Sequence, residues 1–130
     1  MATMNWLAIV VAALSAFALG GIWYGPLFRR AWCREAGVDP SSPPAHRAGV
    51  FAAAFVASLV AAAAFDWIIG PAPGLRTAIL DGVVAGLGLV AASFALNYVF
   101  AQRSLKLWLI DGGYHALQFT LYGVIFGLWQ

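Results

Sequence analysis

The chain has 130 residues, of which 63% are hydrophobic and only 9% are charged, and its net charge is +2. About a quarter of the residues of a soluble domain are charged, so this composition excludes that class and predicts an integral membrane protein. The few charges are too scattered for a nucleic-acid-binding patch. The single cysteine, Cys33, excludes both a disulfide within the chain and a multi-thiolate metal site.

Four apolar stretches reach the roughly 20 residues that a helix needs to cross a bilayer core of ~30 Å. None of them alternates as a barrel strand does, so each is predicted to be a helix. The spans are predicted at about 5–25, 48–70, 75–101 and 105–129. The sequence therefore predicts an all-α polytopic membrane protein, in which residues 1–130 form a single four-transmembrane-helix bundle.

Glycine and proline mark the breaks between these helices. The first helix is predicted to end at Gly25 and Pro26, and the loop after it, about 26–47, contains a short interfacial helix at 27–35. A proline-glycine turn at 70–74 joins the second helix to the third. The turn between the third and fourth helices is very short, so these two helices are predicted to form an antiparallel pair.

The distribution of cations predicts the orientation of the chain. No Lys or Arg precedes the first apolar run, so this run lacks the basic region of a cleaved signal peptide and is predicted to be a retained helix. Arg76 lies on one side of the predicted membrane, and the other six cations lie on the opposite side. Positive residues are retained in the cytoplasm, so both termini are predicted on the non-cytoplasmic side and loop 26–47 in the cytoplasm. The six cations are Arg29, Arg30, Arg34, Arg47, Arg103 and Lys106.

The fourth helix carries a polar stripe. At about 100° per residue, Asp111, His115, Gln118 and Tyr122 fall on one face, with Tyr114 at its margin. On the third helix, Ser93 and Asn97 are predicted at the depth of Asp111, and the end of the first helix brings Trp23 and Tyr24 to the same level. These side chains predict an inward-facing polar pocket, lined by Asp111, His115, Gln118, Tyr122, Tyr114, Asn97, Ser93, Tyr24 and Trp23.

The polar stripe has two interpretations. Asp111 and His115 have the i,i+4 spacing of a helical ion pair, and such a pair can act as a structural clamp between helices. Ionisable groups in a bilayer also serve as proton relays or ligand contacts. A metal site is not predicted, because the other histidine, His46, lies in the loop. No nucleophile, zinc, phosphate-loop or dinucleotide motif is present, so neither an enzyme nor a cofactor is predicted.

Two further acids, Asp66 and Asp81, are predicted in the outer leaflet, within about two helical turns of the surface. Asn5, at the start of the first helix, is predicted at the same level. The acids either reach water with Arg76 as their counter-ion, or form a carboxylate pair that binds a cation.

Glycines spaced four residues apart occur in three of the predicted helices, and this spacing permits close helix approach. The glycines serve either packing within one chain or a homo-oligomer interface, in addition to the contacts with the lipid bilayer. The pairs are Gly21 and Gly25, Gly82 and Gly86, and Gly123 and Gly127.

Several segments, most of them near the predicted cytoplasmic ends of the helices, resemble one known family. They are 5–8 (NWLA), 21–28 (GIWYGPLF) with Trp32, 95–98 (ALNY), 103–107 (RSLKL) and 111–115 (DGGYH). Together they resemble the small bacterial membrane proteins grouped as domain of unknown function 1761. The resemblance implies a four-helix protein of the bacterial inner membrane, and it implies no activity.

Two function classes follow. In the first, the bundle binds or conducts a proton, an ion or a small polar solute at its inward-facing pocket. In the second, the protein is a structural or accessory membrane protein, whose buried Asp, His and Asn groups fix helix packing and whose surface docks a partner.

Overall fold

The computed structural model describes residues 4–39 and 47–129, and within these ranges the chain is helical without any strand. The predicted all-α class is confirmed. Residues 40–46, including His46, and the side chain of Arg47 lie outside the described part. The elements are α1 (Trp6–Ile22), which continues as a π-helical turn (Trp23–Leu27); α2 (Arg29–Ala36); α3 (Arg47–Ile69); α4 (Leu75–Val83), which continues through a π-helical segment (Val84–Ala91) into α5 (Ala92–Phe100); and α6 (Leu105–Leu128).

Side-chain caps set the start of two helices. The Asn5 side chain accepts a hydrogen bond from the backbone N–H of Ala8 at 3.1 Å and begins α1. The Ser104 hydroxyl accepts one from the N–H of Leu107 at 3.1 Å and begins α6. Such caps pair N–H groups that have no partner within the helix.

The first helical stretch loses its α-helical geometry where the sequence predicts a break. Gly25 has φ −95° and ψ −105°, outside the helical region, and Pro26 follows it within the π-helical turn. Proline has no N–H to donate to the preceding turn, so the regular ladder cannot continue there. The chain then turns into α2 at Arg29, and this short helix ends at Gly37 in the left-handed region, φ 75°.

Within residues 4–39 and 47–129, three helical stretches are long and apolar enough to cross a membrane: Trp6–Leu27, Ala48–Ile69 and Leu75–Phe100. The helix α6 has 24 residues, about 36 Å at 1.5 Å per residue, but its polar residues leave it outside this group. It is also the helix with the most central position. It contacts α1, α2, α3, α4, α5 and the π-helical segment, and its buried residues extend from Leu107 to Gly127.

The largest interface joins α6 to α4 and the π-helical segment, and glycines make it close. A Cβ added at Gly82 would lie 2.2 Å from the carbonyl oxygen of Phe119, and one at Gly123 would lie 2.3 Å from that of Ala78. Gly86 and Gly127 also face backbone of the opposite helix. Four of the six glycines with four-residue spacing thus pack within the chain, whereas a Cβ at Gly21 or Gly25 would have no described atom within 4 Å.

Different elements of the chain lie at the two ends of the protein. Asn5, Asp66 and Trp129 line one cavity, so the start of α1, the end of α3 and the end of α6 lie together. At the other end, the Arg103 guanidinium lies 3.5 Å from the carbonyl oxygen of Ala36, which places the α5–α6 turn beside α2.

Candidate functional site

Asp111 is the centre of the candidate site, at the end of the assembly where α2 lies. Its carboxylate is buried, with the residue 8% exposed. The Tyr24 hydroxyl donates to Oδ1 at 2.5 Å, and Nε1 of Trp32 donates to the same oxygen at 3.1 Å. The Tyr98 hydroxyl donates to Oδ2. Among the described residues Asp111 has no ion-pair partner, so hydrogen-bond donors alone balance its charge.

These three donors come from three different elements. Tyr24 lies in the π-helical turn after α1, Trp32 in α2 and Tyr98 in α5, while Asp111 itself lies in α6. A hydrogen bond to a charged group contributes about 1.5–3 kcal/mol in soluble proteins, whereas interhelical bonds in membranes average about 0.6 kcal/mol. Through its three hydrogen bonds the Asp111 carboxylate connects four elements at one point. Asp111 and its donors Tyr24, Trp32 and Tyr98 are called the Asp111 clamp below.

Bonds from aromatic side chains to backbone surround the clamp. Nε1 of Trp23 donates to the carbonyl oxygen of Ile110 at 2.8 Å, immediately before Asp111. Nε1 of Trp108 donates to that of Ala91, the last residue of the π-helical segment, at 2.8 Å. The Tyr114 hydroxyl donates to that of Ala16 at 2.9 Å. The polar atoms of these aromatic residues are thus paired with backbone in the region where the sequence predicts a polar pocket.

The rest of the polar stripe forms a separate chain of hydrogen bonds. Nδ1 of His115 lies 2.6 Å from Oε1 of Gln118, and Nε2 of Gln118 donates to the Tyr122 hydroxyl at 2.8 Å. That hydroxyl donates to the carbonyl oxygen of Ser58 in α3 at 3.2 Å. Gln118 and Tyr122 are 5% and 0% exposed, so this part of the stripe is enclosed by protein.

The predicted pair of Asp111 and His115 is not formed among the described contacts. Asp111 takes its donors from other elements, and His115 bonds to Gln118 instead. The His115 ring packs against Phe94 and Tyr114, with ring centroids 4.7 and 5.0 Å apart. The one stripe predicted from the helical period is therefore two networks, because neighbouring helices offer each polar group a nearer partner.

The third helical stretch requires a correction at Ser93 and Asn97. Both are exposed, and Tyr98 rather than Asn97 bonds to Asp111. The reason is the π-helical segment of eight residues between α4 and α5. Its i→i+5 hydrogen bonds put more residues into each turn, so each residue advances the helix by less than the 100° of an α-helix. After the segment, the face that the α-helical period assigns to one residue is therefore occupied by the next residue in the chain.

The contacts on α6 show this shift directly. Gly82 in α4 and Gly86 early in the π-helical segment face α6, as the α-helical period predicts. After it, the residues that reach α6 are Phe94 and Tyr98, each one position beyond Ser93 and Asn97.

Sequence reasoning missed two donors, Trp32 and Tyr98, and one acceptor, the backbone of Ser58. The sequence places both residues only within the segments that resemble the family. A signal for them was present, since a buried carboxylate without a cation requires several donors. The acceptor carried no sequence signal, because a backbone carbonyl is the same at every position.

The two acids predicted in the outer leaflet, Asp66 and Asp81, have different surroundings in the structure. Asp66 is 8% exposed, and its Oδ2 accepts from the backbone N–H of Asn5 at 3.1 Å. Asp81 is half-buried and has no hydrogen-bond partner among residues 4–39 and 47–129. Arg76 forms no ion pair with either acid there, so the predicted counter-ion is not in place. Of the two acids, Asp66 lines a cavity of about 170 Å³.

A groove of about 320 Å³ lies beside the Asp111 clamp. Tyr98, Arg103 and Trp108 line it together with apolar residues of α5 and the start of α6. Within the described ranges, no three His, Cys, Asp or Glu side chains are grouped as a metal site requires. The donor set at Asp111 consists of hydroxyl and indole groups, which serve an anionic oxygen and not a metal ion.

The profile of one protein family matches residues 7–127, nearly the whole chain; its description reads "Protein of unknown function (DUF1761)". The chain belongs to this family. The resemblance found in the sequence segments is thereby confirmed. No curated protein and no solved structure matches the chain.

Proposed function

We propose that this member of the DUF1761 family is a structural or accessory protein of the membrane, in which the Asp111 clamp fixes the packing of the helices. The observation that supports this function is that Asp111 is occupied by the protein's own donors from three elements. Every side-chain nitrogen and oxygen atom that is itself fully buried among the described residues also has a hydrogen-bond partner. A site that awaits a solute leaves polar atoms free, whereas a packing device pairs them.

The proposal includes four membrane spans, with α6 as the fourth. The length of α6 is sufficient, and its polar groups are shielded by the surrounding helices. A helix of this kind crosses the bilayer at low cost because the lipid does not contact its polar side chains. The other three spans are the apolar stretches described above.

The proposed location is the bacterial inner membrane, with both termini on the non-cytoplasmic side. The basic residues of α2 and Arg103 lie at the end of the assembly that carries the Asp111 clamp, as the positive-inside rule requires of a cytoplasmic end. Labelling of introduced cysteines tests this orientation. In a Cys33→Ser background, Gln102→Cys is expected to react only after the membrane is opened, and Pro71→Cys is expected to react in intact cells. The reverse pattern refutes the orientation.

A partner of the accessory protein is proposed to be either a second copy or another membrane protein. Gly21 and Gly25 are the glycines with four-residue spacing that have no neighbour within the described chain, so the end of α1 is open to such contact. Cross-linking of a Gly21→Cys variant in native membranes tests the homo-oligomer, and a cross-linked dimer is the expected product.

The competing function is binding or conduction of a proton, an ion or a polar solute. It has one observation in its favour, the chain of hydrogen bonds from His115 through Gln118 to Tyr122. Proton relays use chains of this kind. However, no described hydrogen bond continues this chain to Asp111, where the sequence predicts its inward end.

One experiment separates the two functions. Wild-type protein, Asp111→Asn and the matched control Asp81→Asn are reconstituted in liposomes, and proton and cation flux is measured beside the midpoint of thermal unfolding. We expect flux equal to that of protein-free liposomes. We also expect a lowered midpoint for Asp111→Asn alone, because Asp81 has no hydrogen-bond partner to lose among the described residues. A flux that Asp111→Asn abolishes while its midpoint stays at the wild-type value overturns the structural role.

A further inference from the structure

A second site lies at the end of the assembly opposite the Asp111 clamp. An open cavity of about 170 Å³ is lined by Asn5, Asp66, the turn 70–73, Phe126 and Trp129. One water molecule occupies about 30 Å³ of liquid, so the cavity has room for a ligand of several heavy atoms. The site is independent of the proposed function, because none of its residues belongs to the Asp111 clamp.

Asp66 gives the cavity its charge. The residue is 8% exposed, and Oδ2 accepts one hydrogen bond, from the backbone N–H of Asn5. Within residues 4–39 and 47–129, Oδ1 has no hydrogen-bond donor and Asp66 has no cationic partner. A carboxylate in a mostly buried residue that has one hydrogen-bond donor and no cation is costly, and its unpaired Oδ1 is accessible, so the arrangement favours a ligand that brings a positive charge or N–H donors.

The other walls of the cavity select the kind of cation. Phe126 and Trp129 supply aromatic rings, which attract organic cations through their π faces. The turn contains Pro71 and Pro73, and proline has no N–H. The turn is therefore poor in donors that would attract an anion. Its path is fixed by positive φ angles at Gly70 and Ala72, 74° and 47°.

We propose that this cavity binds an ammonium group, from either an aminophospholipid headgroup or a free alkylamine. The N–H donors of the ammonium group pair with Oδ1 of Asp66, and its alkyl substituent lies against Phe126 and Trp129. An inorganic cation is a poorer occupant, because it has no alkyl group to contact Phe126 and Trp129 and leaves most of the cavity unfilled.

The test uses the full chain in nanodiscs of phosphatidylglycerol, a lipid without an amine. Ethanolamine hydrochloride is titrated by calorimetry at pH 8, with sodium chloride of equal ionic strength as the reference. For a four-atom ligand we expect saturable binding with Kd in the millimolar range. Asp66→Asn is expected to weaken it about tenfold or more, since it removes the charge from the hydrogen bond. Asp81→Asn, an acid outside the cavity, is expected to bind like the wild type.

Trp129→Leu tests the aromatic wall separately, and it keeps the proposal testable if Asp66→Asn does not fold. We expect Trp129→Leu to weaken ethanolamine binding severalfold, because it removes one of the two aromatic rings against which the cationic ligand lies. The proposal is overturned if ethanolamine does not bind saturably, if sodium binds equally well, or if the folded variants at 66 and 129 both retain wild-type affinity.

Nanodiscs of phosphatidylethanolamine identify the source of the ammonium group. If the headgroup occupies the cavity, the apparent affinity of the wild type for added ethanolamine falls in these nanodiscs compared with phosphatidylglycerol. If the ligand is a free amine, the two lipids give the same affinity.

Discussion

Replacing Gly123 by alanine is expected to destabilise the protein more than any other single-methyl addition to the glycines of α6. A Cβ at this position would lie 2.3 Å from the carbonyl oxygen and 2.8 Å from the carbonyl carbon of Ala78. Both are backbone atoms of α4, so no side-chain rotation relieves the clash. The two helices must separate instead, by about 1.1 Å, to restore an ordinary contact of 3.4 Å.

The separation has a cost beyond the clash itself. Overpacking of a close interface costs about 1–3 kcal/mol, and the neighbouring contacts of Gly82 and Gly127 loosen at the same time. We expect a loss of about 3 kcal/mol of unfolding free energy. For a chain of this size that corresponds to a fall of roughly 10 °C in the midpoint of thermal unfolding.

Gly88→Ala is the matched control, because Gly88 is exposed and a Cβ there meets only the Val84 side chain, at an ordinary contact distance of 3.9 Å. It adds the same methyl group and the same helix propensity, worth up to about 1 kcal/mol in favour of alanine. Thermal unfolding in detergent and steric trapping in a bilayer measure both variants. Equal midpoints for Gly123→Ala and Gly88→Ala would refute the inference that glycine contacts set the distance between α4 and α6.

Three further predictions concern the polar groups. Trp32→Phe is expected to cost about 0.6–1.7 kcal/mol by removing a donor to Asp111, and to make α2 faster in hydrogen exchange while α3 is unchanged. Tyr122→Phe is expected to cost a similar amount, since it leaves the Gln118 amide without its acceptor; a thermal midpoint within 1 °C of wild type contradicts this. Ser104→Ala removes the cap of α6 and is expected to cost about 1 kcal/mol, which Ser104→Asp restores in the same unfolding assay.

The helices and their ends were largely predictable from the sequence. Apolar runs predict where the helices lie, and glycine, proline and capping residues predict where they begin and end. The helix from Leu105 to Leu128, for example, starts at its Ser104 cap. The convergence of Tyr24 with Asp111 also follows from the order of the helices. These features depend on local residue type and on connection length, which a sequence states directly.

The partners of the polar groups were less predictable, because they depend on which helix lies nearest. By mean hydropathy, α6 ranks last among the long helices. Its many buried residues nevertheless show that it lies at the centre of the fold. The two facts are related. A helix with Asp111, His115 and Gln118 is tolerated where other helices supply donors and acceptors, and the apolar stretches Trp6–Leu27 and Leu75–Phe100 then cover it.

The largest difference between the predicted site and the structure has one physical cause, the π-helical segment Val84–Ala91. It contains two glycines and no polar side chain, and nothing in its composition distinguishes it from an α-helix. Its effect is a rotation of about one residue, which exchanges Asn97 for Tyr98 at Asp111. The exchange affects the chemistry of the site. An asparagine there would offer an amide donor and acceptor, whereas a tyrosine offers one hydroxyl, and it also forms a wall of the groove with Arg103. The segment therefore determines that Asp111 is held by two hydroxyls and an indole, and the Asp111 clamp depends on backbone geometry as much as on the residues that form it.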